Sequence, residues 1–347
     1  MLRLPPFTLR TPTTLAEAAS ILAAEGAAEG KARPVAGGTD LWPNMKRRHQ
    51  VADTVVSLMR IPDLAAIHAN GQRSTTDVRL GATALLADVA ADPHVRGRYP
   101  ALATAVEAIS SPPLRQMGTL GGNVCVDTRC TYYNQTEEWR RSIDFCMKAE
   151  GEICWVAPSS PRCWAHSASD SAPMLAALEA RVRLVGPEGE RTVPIEALYR
   201  DDGIDYLAKR PDELVAEVLL PAESAAERCR SSFRKLRRRG SIDFAVLSVG
   251  AAIWLDGDEI AEATITKARV FLGAVASYPA AAEKTAAALV GRKLDAETIA
   301  DAAAVARKNA TPMDNTDFQA QWRGAVVGKY VEAALADCAG LPSGRLV

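Results

Sequence analysis

The chain has 347 residues, and its 41 basic and 42 acidic side chains leave a formal net charge of −1. That balance gives no overall field to attract nucleic acid, and a hydrophobic content of 48% excludes a disordered chain. No uninterrupted apolar run of about 18 residues occurs, and the first residues contain no apolar leader stretch. The sequence therefore predicts neither a membrane-spanning helix nor a secretory signal.

The first part of the chain alternates between helices and short strands. Apolar residues recur at helical spacing over 14–25, with Thr13 or Thr14 as the N-cap. The apolar runs 54–61 and 77–84 are typical of short buried strands.

The second part is richer in strands. A helix followed by a strand, a turn and another strand is predicted over 172–198. Three further runs are strand-like and favour an antiparallel sheet: 213–221, 244–257 and 265–275. The Ala-rich C-terminal part is helical, most clearly over 296–310. We therefore expect an α+β protein in three parts: 1–60, 61–175 and 176–347.

Two loops contain adjacent glycines, in the stretches VAGGTDL (35–41) and GTLGGN (118–123). Glycine lets the backbone turn sharply and lets its N–H groups approach a phosphate closely. Neither loop is a GxGxxG dinucleotide motif or a P-loop, so each taken alone favours a simple turn. Together, two such loops could hold one pyrophosphate from two sides.

A basic run lies on a strand-like segment: Arg234, Lys235, Arg237, Arg238 and Arg239. A solvated face is the default interpretation of such a run. The alternative is that one of these cations neutralises a cofactor phosphate or a flavin.

Five of the seven cysteines lie in one stretch of irregular sequence: Cys125, Cys130, Cys146, Cys154 and Cys163. A zinc site is one interpretation, although Cys125 and Cys130 form the only closely spaced pair. A [4Fe–4S] cluster is the interpretation that the residues favour, because it needs four cysteine ligands at variable spacing. Reduced cysteines packed as small apolar side chains are the third, and the polar composition of the stretch disfavours it.

The order of these features resembles the FAD-binding medium subunits of molybdenum hydroxylases, the family of xanthine dehydrogenase and carbon monoxide dehydrogenase. The resemblance implies two FAD loops, formed by Val35, Ala36, Gly37, Gly38, Thr39, Asp40 and Leu41 and by Gly118, Thr119, Gly121, Gly122 and Asn123. It also implies that Asp170 contacts the ribityl chain, that Leu214 lies beside the flavin ring and that Lys235 lies near the flavin.

The resemblance implies the fold as well. It predicts a two-part FAD-binding domain of the vanillyl-alcohol-oxidase/PCMH type, followed by a C-terminal antiparallel sheet with a helical bundle. Residues 1–60 and 61–175 would form the two parts of the FAD-binding domain, and 176–347 the C-terminal α+β domain.

The segment 124–165 is an insertion relative to most of this family. Its sequence is similar to the extra loop of the β subunits of 4-hydroxybenzoyl-CoA reductases, which holds a [4Fe–4S] cluster. The resemblance implies that the cluster ligands are Cys130, Cys146, Cys154 and Cys163, with Cys125 outside the site.

The function implied is that of an electron-transfer subunit without a substrate site of its own. Electrons would pass from ferredoxin through the [4Fe–4S] cluster and FAD to partner subunits, a small one with [2Fe–2S] clusters and a large one with molybdopterin. The expected assembly is a dimer of heterotrimers that reductively dehydroxylates 4-hydroxybenzoyl-CoA to benzoyl-CoA. A cytoplasmic location is expected, because thiols stay reduced there.

Two other interpretations stay open. The chain could serve a related molybdenum hydroxylase that acts on a different aromatic or heterocyclic substrate. It could instead be a zinc-stapled binding protein with vestigial glycine loops, which would contain no flavin.

Overall fold

The computed structural model describes residues 2–69, 76–260 and 262–343. Within these ranges the chain forms three sheets with helices packed against them. Four short pieces of the predicted domains lie outside the described residues: 1, 70–75, 261 and 344–347.

The first sheet is small and parallel. Its three strands are arranged in the order β1–β3–β2, with β1 at Thr8–Arg10, β2 at Ala32–Val35 and β3 at Thr54–Ser57. Helix α1 (Leu15–Ala24) supplies Leu22 to the core beside this sheet. The hydroxyl of Thr14 accepts a hydrogen bond from the backbone N–H of Glu17, so the predicted N-cap is confirmed.

The second sheet has five antiparallel strands in the order β4–β5–β8–β6–β7. They are β4 (Ile67–Ala69), β5 (Thr76–Gly81), β6 (Arg181–Gly186), β7 (Gly189–Pro194) and β8 (Leu214–Pro221). The sheet thus takes strands from both sides of residue 175. The predicted three-part division stays a prediction.

Most of the remaining helices of the first 180 residues are short. They are α2 (Leu41–Lys46), α3 (Leu86–Ala91), α4 (Pro93–Arg98), α5 (Pro100–Glu107), α6 (Pro112–Arg115), α7 (Leu120–Val124), α8 (Glu137–Ser142) and α9 (Ser171–Ala177). Every residue of α9 is buried, because this helix packs against α5, α7 and two later strands at Leu247–Leu255 and Ile265–Gly273. The largest hydrophobic core lies around it.

The third sheet is antiparallel, in the order β12–β11–β10–β9. Its strands are β9 (Cys229–Leu236), β10 (Leu247–Leu255), β11 (Ile265–Gly273) and β12 (Ala280–Ala281). Three C-terminal helices cover it: α10 (Glu283–Ala287), α11 (Ala296–Asn309) and α12 (Ala320–Ala339). The sheet and these helices enclose the second large core.

The predicted α+β class and the C-terminal antiparallel sheet with helices are confirmed. Between α7 and α9 the chain contains only one helix, the six-residue α8, so the insertion is as irregular as its sequence indicates. It does have a small core, formed by Cys130, Tyr133, Cys146, Cys163 and Ala165. Among the helices of the described residues, none has the length and apolar character needed to cross a membrane.

Candidate functional site

The first glycine loop joins β2 to α2. Gly38 has φ +72°, a conformation that favours glycine, and a Cβ there would lie 1.9 Å from the indole nitrogen of Trp42. A Cβ on Gly37 would lie 1.6 Å from the carbonyl oxygen of Met117, which directly precedes the second loop. The two glycine loops therefore touch, and only glycine permits that contact.

The second glycine loop leads into α7. The Thr119 hydroxyl caps this helix by accepting a hydrogen bond from the backbone N–H of Gly122 at 3.2 Å. A Cβ on Gly121 would lie 2.7 Å from the Cβ of Ala82, so this glycine allows close packing on the end of β5. The side-chain oxygen of Asn123 accepts hydrogen bonds from the hydroxyls of two serines in the next segment, Ser169 and Ser171.

The two loops differ in what their backbone N–H groups offer. In the second loop the N–H groups of Gly118 and Gly121 donate to protein carbonyls. In the first loop the N–H groups of Gly37, Gly38 and Thr39 meet no acceptor within the described part of the chain. Exposed N–H groups on a glycine turn fit an anion such as a pyrophosphate.

A buried ion pair lies close to the second loop. The Lys235 ammonium on β9 donates to the Asp170 carboxylate at 2.8 Å and to the carbonyl oxygen of Ala108 at 3.0 Å. The side chains of Lys235 and Asp170 are each 3% exposed. Asp170 Oδ1 is buried and has no hydrogen-bond partner among the described residues. A buried acceptor of this kind fits a hydroxyl group of a bound cofactor.

Burial raises the pKa of Asp170 to about 6, although the positive charge of Lys235 opposes the rise. Burial also raises the pKa of the neighbouring carboxyl of Asp243. A hydrogen bond from Arg237 and the charge of Lys235 outweigh that effect and leave the pKa of Asp243 lowered. The site therefore contains one carboxyl group whose pKa is raised and one whose pKa is lowered.

Two residues of the predicted FAD site lie in hydrophobic cores. Leu214 is 2% exposed and packs with Leu22 and Leu58 beside α1. Val35 packs with Met45 in a separate small core. Neither side chain offers a polar contact to a ligand.

The four predicted cluster cysteines come together. Cys130, Cys146, Cys154 and Cys163 are buried, are free thiols and line one small cavity. Burial raises the pKa of Cys130 to about 12, and the nearby thiols of Cys163 and Cys146 add to the rise. Cys125 does not line this cavity.

The four thiols line one cavity, but they are not arranged as ligands of a metal ion. Across residues 2–69, 76–260 and 262–343, no group of three or more His, Cys, Asp or Glu side chains is placed to hold a metal ion. The cavity is also lined by aromatic and aliphatic side chains and by one cation: Tyr132, Tyr133, Met147, Trp155, Val156 and Lys148.

Sequence reasoning missed the contacts that join the insertion to the glycine loops. Arg129, next to Cys130, pairs with Asp40 of the first loop and hydrogen-bonds Asn44 of α2. Lys148 forms a buried pair with Asp127 at 2.8 Å, just after α7. Both Arg129 and Lys148 lie in a polar stretch of sequence, and the sequence alone does not indicate which carboxylates they pair with.

Comparisons with known proteins agree with this geometry. Residues 5–223 match the family described as the FAD binding domain in molybdopterin dehydrogenase, and residues 231–338 match the CO dehydrogenase flavoprotein C-terminal domain. The carbon monoxide dehydrogenase medium chain of Hydrogenophaga pseudoflava is 26% identical over 331 residues, which cover 95% of this chain and 96% of that protein. The FAD-binding subunit of an aldehyde oxidoreductase from Escherichia coli is 31% identical over 72% of this chain and 76% of that one.

Solved structures give the same result. The solved structure of a carbon monoxide dehydrogenase from Hydrogenophaga pseudoflava, which lacks the Mo-pyranopterin moiety of its molybdenum cofactor, contains a chain similar to this one, with a TM-score of 0.77 and 26% identity. The match covers 97% of this chain and 99% of that one. These comparisons support FAD as the cofactor and give no support to the [4Fe–4S] cluster or to 4-hydroxybenzoyl-CoA.

The family assignment therefore rests on two matched domains that together cover most of the chain, and on relatives that align along nearly its whole length. The chain belongs to the molybdenum hydroxylase family, in which it is an FAD-binding medium subunit.

Proposed function

We propose that this chain is an electron-transfer subunit that binds both FAD and a [4Fe–4S] cluster, in a complex resembling 4-hydroxybenzoyl-CoA reductase. The observation that carries the proposal is the convergence of four buried thiols from the insertion on one cavity. Four cysteine thiolates are the usual ligand set of a [4Fe–4S] cluster.

The FAD would be held by the two loops and the buried ion pair. The free N–H groups of Gly37, Gly38 and Thr39 would bind its pyrophosphate, and Asp170 Oδ1 would accept a hydrogen bond from a ribityl hydroxyl. Lys235 keeps the carboxylate of Asp170 oriented and adds a positive charge that favours the anionic form of a reduced flavin. FAD supplies exchange of one or two electrons.

The cluster would be held by Cys130, Cys146, Cys154 and Cys163 and would supply one-electron transfer. The high pKa of Cys130 in the free thiol state means that ligation must release a proton from a thiol in an apolar site. Lys148 lines the same cavity, and its positive charge would offset part of the negative charge of a thiolate-bound cluster.

Partners follow from the family. We infer a large molybdopterin-binding subunit and a small [2Fe–2S] subunit, assembled as a dimer of heterotrimers, with ferredoxin as the electron donor. The overall reaction would consume two electrons and two protons and release the phenolic hydroxyl of 4-hydroxybenzoyl-CoA as water. We infer a cytoplasmic location as well, because cysteine ligands of a cluster need to stay reduced during its assembly.

A second candidate is an FAD subunit of a hydroxylase with another substrate. The names of the relatives favour it, because they include dehydrogenases or oxidoreductases of carbon monoxide, aldehydes and nicotinate. Assays of the purified complex with aryl-CoA thioesters, aldehydes and nicotinate as alternative substrates separate the two candidates.

Iron, sulfide and flavin analysis of cysteine variants tests the cluster directly. We expect about four irons and one FAD per wild-type chain, and loss of iron in Cys146→Ser. Cys125→Ser is the matched control, since this cysteine lies in the same segment but outside the cavity, and it should keep its iron. Wild-type protein with flavin but no iron would overturn the cluster and leave the family function intact.

A further inference from the structure

We propose that Arg129 is a positioning residue through which the cysteine insertion holds the first glycine loop in its FAD-binding shape. The proposal deepens the proposed function and rests on its flavin part alone. It does not require the insertion to hold a cluster.

The contacts of Arg129 carry the proposal. Its side chain is 6% exposed, although it belongs to a loop. The guanidinium pairs with the Asp40 carboxylate and donates to the side-chain oxygen of Asn44 at 3.2 Å. Asn44 in turn donates to the second oxygen of Asp40 at 2.9 Å, so the three side chains form a closed ring of hydrogen bonds. This ring fixes the end of the first glycine loop.

Arg129 also contacts two further segments of the site. Its guanidinium carbon lies 4.5 Å from the centre of the Phe244 ring, and Phe244 directly follows Asp243 of the Lys235 segment. Its backbone exchanges two hydrogen bonds of 2.8 Å with His166, four residues before Asp170 in the chain. One insertion residue therefore contacts three of the four segments that form the predicted flavin site; the second glycine loop is the fourth.

The position of Asp40 explains why its pairing with Arg129 matters for the first glycine loop. Asp40 is 30% exposed and the loop before it is built on two glycines, so little else restrains it. Both oxygens of Asp40 are already engaged, by Arg129 and Asn44. The contribution of Asp40 to FAD binding that we propose therefore depends on its pairing with Arg129.

The test is a double-mutant cycle on the affinity of the full-length apoprotein for FAD, followed by flavin fluorescence. Arg129→Ala and Asp40→Asn should each raise the FAD dissociation constant by roughly ten- to a hundredfold, and the double variant should be no worse than the worse single variant. Arg129→Lys keeps the charge and should restore part of the affinity. Arg141→Ala, an exposed arginine of the same insertion, is the matched control and should bind FAD as the wild type does.

Each outcome decides the proposal. Wild-type affinity in Arg129→Ala, or effects that add in the double variant, would overturn it, since additive losses mean that Asp40 acts on FAD independently. Unfolding temperatures of the apoproteins show whether a variant has merely lost stability, and a loss that Arg129→Lys does not relieve counts against positioning. If the wild type binds no FAD, the flavin part of the proposed function fails along with this inference. If FAD binds but no iron is present, only the cluster fails.

Discussion

Asp170 combines two properties that rarely occur together in a protein interior. One carboxylate oxygen is bound by the Lys235 ammonium, while the other is buried without a hydrogen-bond partner in the described structure. An unpaired buried acceptor costs about 1–3 kcal/mol, so a ligand that donates to it gains that free energy. This is the physical reason to assign Asp170 to the ribityl hydroxyls.

On the proposed contact between Asp170 and FAD, the raised pKa of Asp170 should make FAD binding depend on pH. Below its pKa of about 6 the carboxyl is protonated and accepts hydrogen bonds poorly, so the FAD dissociation constant should rise by up to about tenfold per pH unit as the pH falls from about 6. Asp170→Asn should bind FAD about ten- to a hundredfold more weakly at pH ~8 and should show no such dependence. Fluorescence titrations of the apoprotein between pH ~5 and ~8 measure both effects.

Acid unfolding through Asp170 would not produce the same weakening of FAD binding at low pH. Because the folded state binds the Asp170 proton more tightly than the unfolded state, this group adds stability at low pH and that stability is lost as the pH rises from about 4 to about 6. Asp205→Asn removes an exposed aspartate and should leave the pH profile unchanged. A profile in Asp170→Asn that matches the wild type would contradict the assignment.

Sequence reasoning could propose the residues of the site but not all of their partners in the fold. Gly37, Gly38 and Gly121 each lie at a contact that no side chain could occupy, and adjacent glycines signal that requirement directly. Arg129 carries no comparable signal, because a lone arginine in a polar loop is normally solvated. The place of Leu214 beside the flavin is implied by resemblance and stays a prediction, and in the structure its side chain packs in a core beside α1.

At the scale of elements, the loop between β7 and β8 contacts two residues that line the cysteine cavity, Cys163 and Lys148. Gly203 lies in this loop, its N–H donates to the carbonyl of Cys163 at 2.9 Å, and its carbonyl accepts from Lys148 at 2.6 Å. A Cβ on Gly203 would lie 2.7 Å from the sulfur of Cys163. The loop therefore packs on the cysteine site with its bare backbone.

Gly203→Ala should force the loop and the insertion apart. We expect a loss of about 1–3 kcal/mol in the free energy of unfolding, as for overpacked cores, and faster reaction of the cavity thiols with a thiol reagent. Urea unfolding and labelling rates measure the two effects. Gly97→Ala, at an exposed position of α4 with nothing within 4 Å of the added Cβ, is the control. Identical behaviour of the two variants would show that the loop does not restrain the cysteine site.

Element prediction succeeded where local patterns decide structure. The helix predicted over 296–310 is α11 (Ala296–Asn309), and the predicted strands at 54–61 and 77–84 overlap the shorter β3 and β5. Pairing between distant strands was beyond local reasoning. Strand β8 lies between β5 and β6 in the sheet. Its partner β5 is more than a hundred residues away in the sequence, so local patterns could not predict this order.

For the whole molecule, the near-neutral charge matters most for partners. A net charge of −1 gives little long-range steering, so docking of an electron donor or of other subunits has to depend on local surfaces. The matched FAD-binding and C-terminal domains explain the fold of most of the chain. The segment 124–165 lies within the matched FAD-binding domain, and its four buried thiols form the basis of the proposed cluster.

A reductive titration of the purified chain under anaerobic conditions, followed by visible absorption, tests the central claim most directly. FAD accepts two electrons and a [4Fe–4S] cluster accepts one, so the account predicts uptake of about three electrons per chain, with bleaching of both flavin and iron–sulfur absorption. Uptake of about two electrons with flavin bleaching alone would contradict the cluster. A colourless protein that accepts none would contradict the account as a whole.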